Sequence, residues 1–305
     1  MRILIDLQGA QATHHGRGIG RYALSLALAL IRQSGSHEIR LLLNGHYPQA
    51  MDEIRHALGT QLPAEHVHVW QGVEPLPGDT VHPLFSGDFV RRLRSAVMAS
   101  IRPDVVLITS LFEGPGDAAV VTIEPDDPPT AVVLYDLIPL IHADVYLTDP
   151  AVQAWYQDRL HELQKAQLLL AISGHSRTEA IAHLQWPADR VVNISTACEE
   201  VFSKTDVPAS MWQQWSERHR LQRPFLMYTG GIDRRKNIEK LIRAYGMLPQ
   251  QTRSAHQLLI VCAIGQADRK RLQNEAALAG LNNDELVITG YVSEPELVAL
   301  YNACK

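Results

Sequence analysis

The feature that most constrains this chain is the regular return of short apolar runs separated by stretches of helical period. ILIDL (3–7), IRLLL (39–43), VHVW (67–70), DVVLIT (104–109), AVVLY (131–135), LLLAIS (168–173) and VVNIS (191–195) are the runs of the first two hundred residues. Most are apolar at consecutive positions, so both faces of each strand must be covered. Between them the spacing changes. Ile19, Tyr22, Ala23, Leu26 and Leu30 recur every three or four residues, and similar stretches fall near 86–101, 151–166 and 176–185. Asp149-Pro150 supplies an N-cap followed by proline at the first helical position. Alternation of this kind predicts a parallel, doubly wound α/β sheet.

Residues 203–224 break the pattern. They are polar, contain Pro208 and Pro224, and read as a linker with a short helix around Trp212 and Trp215. The alternation then restarts with FLMYTG (225–230), a helix over 237–248, LLIVCAI (258–264), a helix over 266–280, and LVITG (286–290). Ser293 and Glu296 have the spacing of a capping box at the start of a last helix. The expected organisation is a first domain over 1–202, a linker over 203–224, and a second α/β domain over 225–305. Its three strands make a poor stand-alone parallel domain, so it reads as incomplete.

Composition narrows the function. A net charge of −5 argues against a nucleic-acid binder, which is usually basic. No apolar run approaches the ~20 residues that span a bilayer. MRILIDLQGA carries Asp6 inside its apolar run and reads as a first strand, not a leader. Cys198, Cys262 and Cys304 are far apart and odd in number, without a C-x-x-C pair, which fits a reducing cytoplasm. The histidines are scattered, His14-His15 and His66/His68 being the close pairs, and neither H-E-x-x-H nor D-x-D occurs. No metal and no cofactor are expected.

Two loops carry candidate chemistry. Gly16-Arg17-Gly18-Ile19-Gly20-Arg21-Tyr22 precedes the first helix, where glycines admit a ligand close to the backbone and a helix N-terminus favours an anion. It is a poor dinucleotide fingerprint, because the glycines lie roughly ten residues beyond the strand instead of in a tight turn. Gly230-Gly231-Ile232-Asp233-Arg234-Arg235-Lys236-Asn237 joins a strand to a helix, with Asn237 as its expected N-cap. Three cations at the positive end of a helix dipole are locally unfavourable unless a phosphate sits among them. The alternative is a solvated basic turn.

With these segments in order, the chain resembles glycosyltransferase family 4, the retaining enzymes of the GT-B architecture, and among them the bacterial mannosyltransferase-like enzymes of surface polysaccharides. The resemblance rests on RILIDLQGAQ…GRGIGRY, VVLYDLIPL (132–140), AISGHSRTEAI (171–181), YTGGIDRRKNIEKLIRAY (228–245) and ITGYVSEPELVALYNAC (288–304). It implies two Rossmann-like domains, the second truncated at its C-terminal side, and a nucleotide diphosphate sugar as donor. It implies that Lys236 binds the donor diphosphate. Its usual partner arginine is replaced by Gly231, so Arg234 or Arg235 compensates, Arg235 being better placed by its closeness to the helix. Gly18 and Gly20 match a loop near the donor phosphates. Tyr135-Asp136 stands where many relatives have His-Asp, beside the transferred sugar. Tyr291 and Val292 match a segment that approaches the nucleotide base. The family's glutamate pair would lie beyond the last helix.

The implied reaction moves a sugar, mannose being the guess, to a growing glycan or lipid-linked acceptor. The expected location is the cytoplasm, with peripheral contact at the inner membrane surface. Two other readings remain at this point. Gly174-His175-Ser176 suggests the nucleophile elbow of a serine hydrolase, but Thr178 stands where glycine is needed, and Ser176/Glu179 fits a capping box. A shortened chain could also bind nucleotide sugar without turnover. Arg91-Arg92-Leu93-Arg94 reads either as a contact with anionic lipid or as a charged helix face.

Overall fold

A computed structural model describes residues 1–12, 16, 18–72, 87–114 and 116–305. Arg17 and the His14-His15 pair lie outside the described residues. The chain forms two compact units, Met1–Ala197 and Cys198–Lys305.

The first unit is a seven-stranded sheet in the order β3-β2-β1-β4-β5-β6-β7, all pairings parallel. Its strands are β1 (Arg2–Asp6), β2 (Glu38–Asn44), β3 (Val67–Trp70), β4 (Val105–Ile108), β5 (Thr130–Leu134), β6 (Leu168–Ala171) and β7 (Val191–Asn193). The helices are α1 (Gly18–Arg32), α2 (Pro48–Leu58), α3 (Gly87–Ile101), α4 (Ile138–Ile141), α5 (Ala143–Tyr146), α6 (Pro150–Leu163) and α7 (Gly174–Leu184). The doubly apolar strands have the expected consequence. Ile5, Leu41, Leu43, Leu107 and Val133 face α1 and α2, while Leu4, Leu42, Val106, Ile108, Val132 and Leu134 face α3, α6 and α7. Burying each such side chain contributes about 1.5–3 kcal/mol.

The second unit is a parallel sheet in the order β10-β9-β8, from β8 (Phe225–Thr229), β9 (Gln257–Val261) and β10 (Leu286–Ile288). Its helices are α8 (Ala209–His219), α9 (Ile238–Gly246), α10 (Gln250–Ala255), α11 (Gln266–Leu278) and α12 (Glu294–Ala303). The stretch read as a linker supplies α8, which packs within this unit. Trp212 stacks on Phe225 with ring centroids 6.2 Å apart, and His219 Nε2 lies 2.5 Å from Glu296 Oε1.

Two capping expectations are corrected by this geometry. Ser293 sits at the N-cap of α12 but makes no side-chain cap bond, because Glu296 is buried against His219 instead of reaching back. The cap of α7 is Ser173, whose Oγ accepts from Ser176 N at 3.0 Å, and Glu179 pairs with His175. Asp149 caps α6 as expected, accepting from the Ala151 and Val152 amides.

One buried ion pair fixes the centre of the first sheet. Arg94 on α3 reaches Asp6 at the end of β1, Nε at 3.0 Å and Nη2 at 2.5 Å, with both side chains 0–1% exposed. Arg94 Nη1 also donates to Thr122 O at 2.9 Å. Asp6→Ala strands the guanidinium in the core and is expected to cost about 3–5 kcal/mol, read as a lower urea midpoint for the first unit. An Asp6→Leu/Arg94→Met double variant is expected to regain most of that loss.

Candidate functional site

In a parallel sheet every strand ends at the same edge, and ligands of open α/β sheets bind there, at the point where strand order reverses. In the first unit that point lies between β1 and β4. The edge is built of buried polar groups. Asp6 accepts from Gln8 N at 3.1 Å, and Gln8 Oε1 accepts from Asn44 Nδ2 and Val120 N, both at 3.0 Å. Gln11 and Asn44 exchange bonds of 2.8 and 3.0 Å. A Cβ at Gly9 would stand 2.7 Å from Ser110 Cβ, so only glycine lets the loops after β1 and β4 close on each other. Gly18 and Gly20, expected in the loop, instead form the first turn of α1, with Gly18 exposed and Gly20 buried.

Tyr135 and Asp136 follow β5 at this edge. The Tyr135 hydroxyl donates to Thr109 O at 3.0 Å, with Ile19 O 3.4 Å away, and its ring meets Tyr22 edge-on at 5.5 Å. Burial holds this phenol far above its ordinary range, so it is no proton carrier near neutral pH. It ties β4, β5 and α1 together. Asp136 Oδ1 accepts from Ile138 N at 3.1 Å, which folds the turn into α4. Ser176 is 4% exposed inside α7, and its hydroxyl donates to Tyr135 O at 2.6 Å. The neighbouring His175 faces solvent and pairs with Glu179, so no nucleophile–base pair exists here.

No sequence motif marks Glu113, in the loop after β4. It is 6% exposed, and its Oε1 accepts from Ser110 Oγ at 2.7 Å. Burial pushes its carboxyl up to about 7; the Ser110 hydroxyl opposes the rise and the Asp117 charge adds to it.

In the second unit the loops after β8 and β10 open on one edge with β9 between them. Strand spacing puts them roughly 10 Å apart. Arg234–Lys236 form a 3-10 turn whose cap is Asp233, accepting from Arg235 N at 2.9 Å. Asn237 adopts a left-handed conformation (φ 54°) and makes no side-chain cap bond, so the expected asparagine cap of α9 is absent and the first amides of that helix lack it. Tyr228 Oη donates to Gly231 O at 2.7 Å and pins the glycine turn. Arg235 Nε lies 3.4 Å from Asp233 Oδ1, an exposed pair of small value. The Arg234 and Lys236 head groups are exposed and have no partner among the described residues. Arg235, favoured by proximity in sequence, carries only this weak contact, so both arginines remain open as companions of Lys236. Tyr291 is 83% exposed on the loop after β10, and Val292 packs into the core beside Phe225.

Among the described residues no group of three or more His, Cys, Asp or Glu could hold a metal ion, and no helix is long and apolar enough to cross a membrane. The stretch 91–94 is not a free basic patch, because Arg94 is buried on Asp6 and Arg91 binds Asp88.

Comparison with known proteins agrees with this architecture. A family model described as a glycosyl transferase 4-like domain matches residues 17–197, and one described as glycosyl transferases group 1 matches residues 213–305. The serotype-specific mannosyltransferase WbdA of Escherichia coli is 33% identical over 308 residues, covering 100% of this chain. The chain spans 37% of that relative's length. O-antigen chain mannosyltransferase B of Escherichia coli is 30% identical over 152 residues, covering 50% of this chain and 39% of its own. The structure of HepE from Anabaena in complex with UDP and glucose matches with TM-score 0.61 and 15% identity, covering 100% of this chain and 72% of that one. Sucrose-phosphate synthase from Thermosynechococcus elongatus matches with TM-score 0.58 and 16% identity, covering 100% of this chain and 74% of its own, and at such identities the likeness is one of fold. The chain belongs to the family 4 glycosyltransferases of the GT-B architecture.

Proposed function

We propose that this chain takes part in transferring a hexose from a nucleotide diphosphate sugar to a hydroxyl of a growing surface glycan or lipid-linked acceptor, with retention at the anomeric carbon. The observation that carries the reading is the pair of unpartnered cations, Arg234 and Lys236, beside the uncapped start of α9. A diphosphate gains negative charge as its bond to the sugar breaks. Two cations and the first amides of α9 offer fixed positive charge for that leaving group, worth most where water is excluded. Tyr291 and Val292 then border the nucleotide base. Gly18 and Gly20 keep their reading as residues for the donor phosphates, and Tyr135 and Asp136 for the transferred sugar; the first unit that carries them also takes the acceptor. With its phenol tied to Thr109 O, Tyr135 shapes that edge instead of moving a proton. Mannose is the sugar to test first, because the relatives at 30% identity or more are named mannosyltransferases. Work at the cytoplasmic face of the inner membrane would suit a lipid-linked acceptor.

Titration of the chain with GDP-mannose and other sugar nucleotides by calorimetry tests the donor side. Lys236→Ala is expected to weaken binding of the preferred donor by about ten- to a hundredfold, the range for losing a hydrogen bond to a charged group. Unchanged affinity would remove Lys236 from the site. A Cβ at Gly231 meets nothing within 4 Å, so the exposed turn has room for a longer side chain. Gly231→Arg is expected to tighten donor binding about tenfold by adding a charge-assisted contact. A neutral or weakening effect in the same titration would place the diphosphate elsewhere.

A further inference from the structure

We propose that Glu113 is the carboxylate with which the first unit grips a hydroxyl of the acceptor saccharide. This rests on the acceptor role given above to that unit. The side chain is 6% exposed, yet no cation among the described residues pairs with it. One oxygen accepts from Ser110, and Oε2 has no hydrogen-bond partner among the described residues. Burial penalises the ionised carboxyl, while Oε2 is not among the fully enclosed unpartnered atoms and so remains open to a ligand.

The described residues on either side of it have defined contacts. Ser110 is itself buried at the end of β4, pressed against Gly9 at the reversal of strand order. Gly114 has φ 102°, and a Cβ there would lie 2.7 Å from Ala119 O, so the chain turns back directly after Glu113. Asp117 Oδ1 accepts from Ala119 N at 2.9 Å and closes the turn. Loop and strand end therefore hold the carboxylate at one place, as a recognition group requires.

Among the described residues, three titratable groups act on it. Asp117 lies on the same loop, Tyr47 precedes α2, and Tyr135 follows β5. Burial pushes both phenols up, so they stay neutral and leave Glu113 to respond to pH. Arg94, on the same edge, is committed to Asp6 and Thr122 O. Sugar hydroxyls are good donors to an ionised carboxylate, and such charge-assisted bonds are about twice as strong as neutral ones. Because the carboxyl titrates near 7, saccharide binding should strengthen as pH rises from 6 to 8.

The test uses the full chain, titrated with α-linked mannobiose as acceptor probe and with GDP-mannose in parallel. Wild type is expected to bind mannobiose up to about tenfold more tightly at pH 8 than at pH 6, the change in ionised fraction for a group titrating near 7. Glu113→Gln should weaken mannobiose binding about tenfold or more at pH 8, abolish its pH dependence, and leave GDP-mannose affinity unchanged. Thermal unfolding separates recognition from support. A carboxyl whose folded pKa is raised loses stability as pH climbs from its unfolded value to its folded one. Glu113→Gln should therefore raise Tm at pH 8 and leave it unchanged near pH 4. No mannobiose binding by wild type, equal binding by the variant, or a lower Tm of the variant at pH 8 overturns the assignment. Failure of GDP-mannose to bind either protein tells against the donor reading alone.

Discussion

Parallel pairing is the constraint from which the candidate sites follow. It forces each strand of a unit to finish at the same edge, and each connection to return across a face. Loops of distant sequence, after β1, β4 and β5, are thereby collected at one line. The apolar alternation that makes this possible is double-sided: Leu4 and Ile5, or Leu41 and Leu42, serve opposite layers of helices. A polar residue in mid-strand would expose an unpaired group to one layer. Polar residues accordingly begin where the strands stop, at Asp6, Asn44 and Thr109, and there they bond to one another. The Asp6–Arg94 pair anchors this polar line to α3. Its value is as much in position as in energy, since a buried pair recovers its desolvation cost only when its bonds are complete.

The two units leave opposite charges unsatisfied. In the second, Arg234 and Lys236 project beside a helix start that already carries partial positive charge, with one aspartate engaged by Arg235. In the first, Glu113 is buried without a cation among the described residues. Arg234 and Lys236 stay solvated, whereas the buried carboxyl carries a desolvation cost. Keeping them means that stability has been exchanged for readiness to bind: an anion in one unit, a hydroxyl donor in the other. The Tyr135 phenol shows the contrary arrangement. Its proton is given to Thr109 O, so it contributes rigidity and shape where another side chain could have supplied a base.

Much of this was legible in the amino-acid order because periodicity reports burial. All ten strands fall on the apolar runs, and the family resemblance is matched by family models over 17–197 and 213–305. Capping was less legible. Ser176/Glu179 and Ser293/Glu296 both have the spacing of a reciprocal cap, yet Ser173 does the capping in one case and Glu296 turns to His219 in the other. Local spacing cannot register a partner 77 positions away. The polar stretch before β8, read as a linker with a short helix, does hold such a helix, α8, but its packing was not legible. Only a few side chains of α8, Trp212 and His219 among them, make its contacts, too few to give an apolar period. Glu113 was invisible because nothing in its neighbours' identities predicts burial. Its environment is made by Ser110 and by a turn that depends on Gly114.

Arg234 and Arg235 show what local geometry adds to sequence proximity. Arg235 stands beside Lys236 and nearer the helix, and on a simple count is the better second ligand for a diphosphate. The turn adds a second consideration. Once Asp233 caps it, accepting from the Arg235 amide, the same carboxylate lies within reach of the Arg235 side chain. Arg235 thereby loses part of its charge to a neighbour, while Arg234 keeps its own. The pair is exposed and weak, so an arriving diphosphate could recruit Arg235 at small cost. Arg234 needs no such exchange. With Gly231 lacking any side chain, the open space over the turn falls to Arg234 and Lys236.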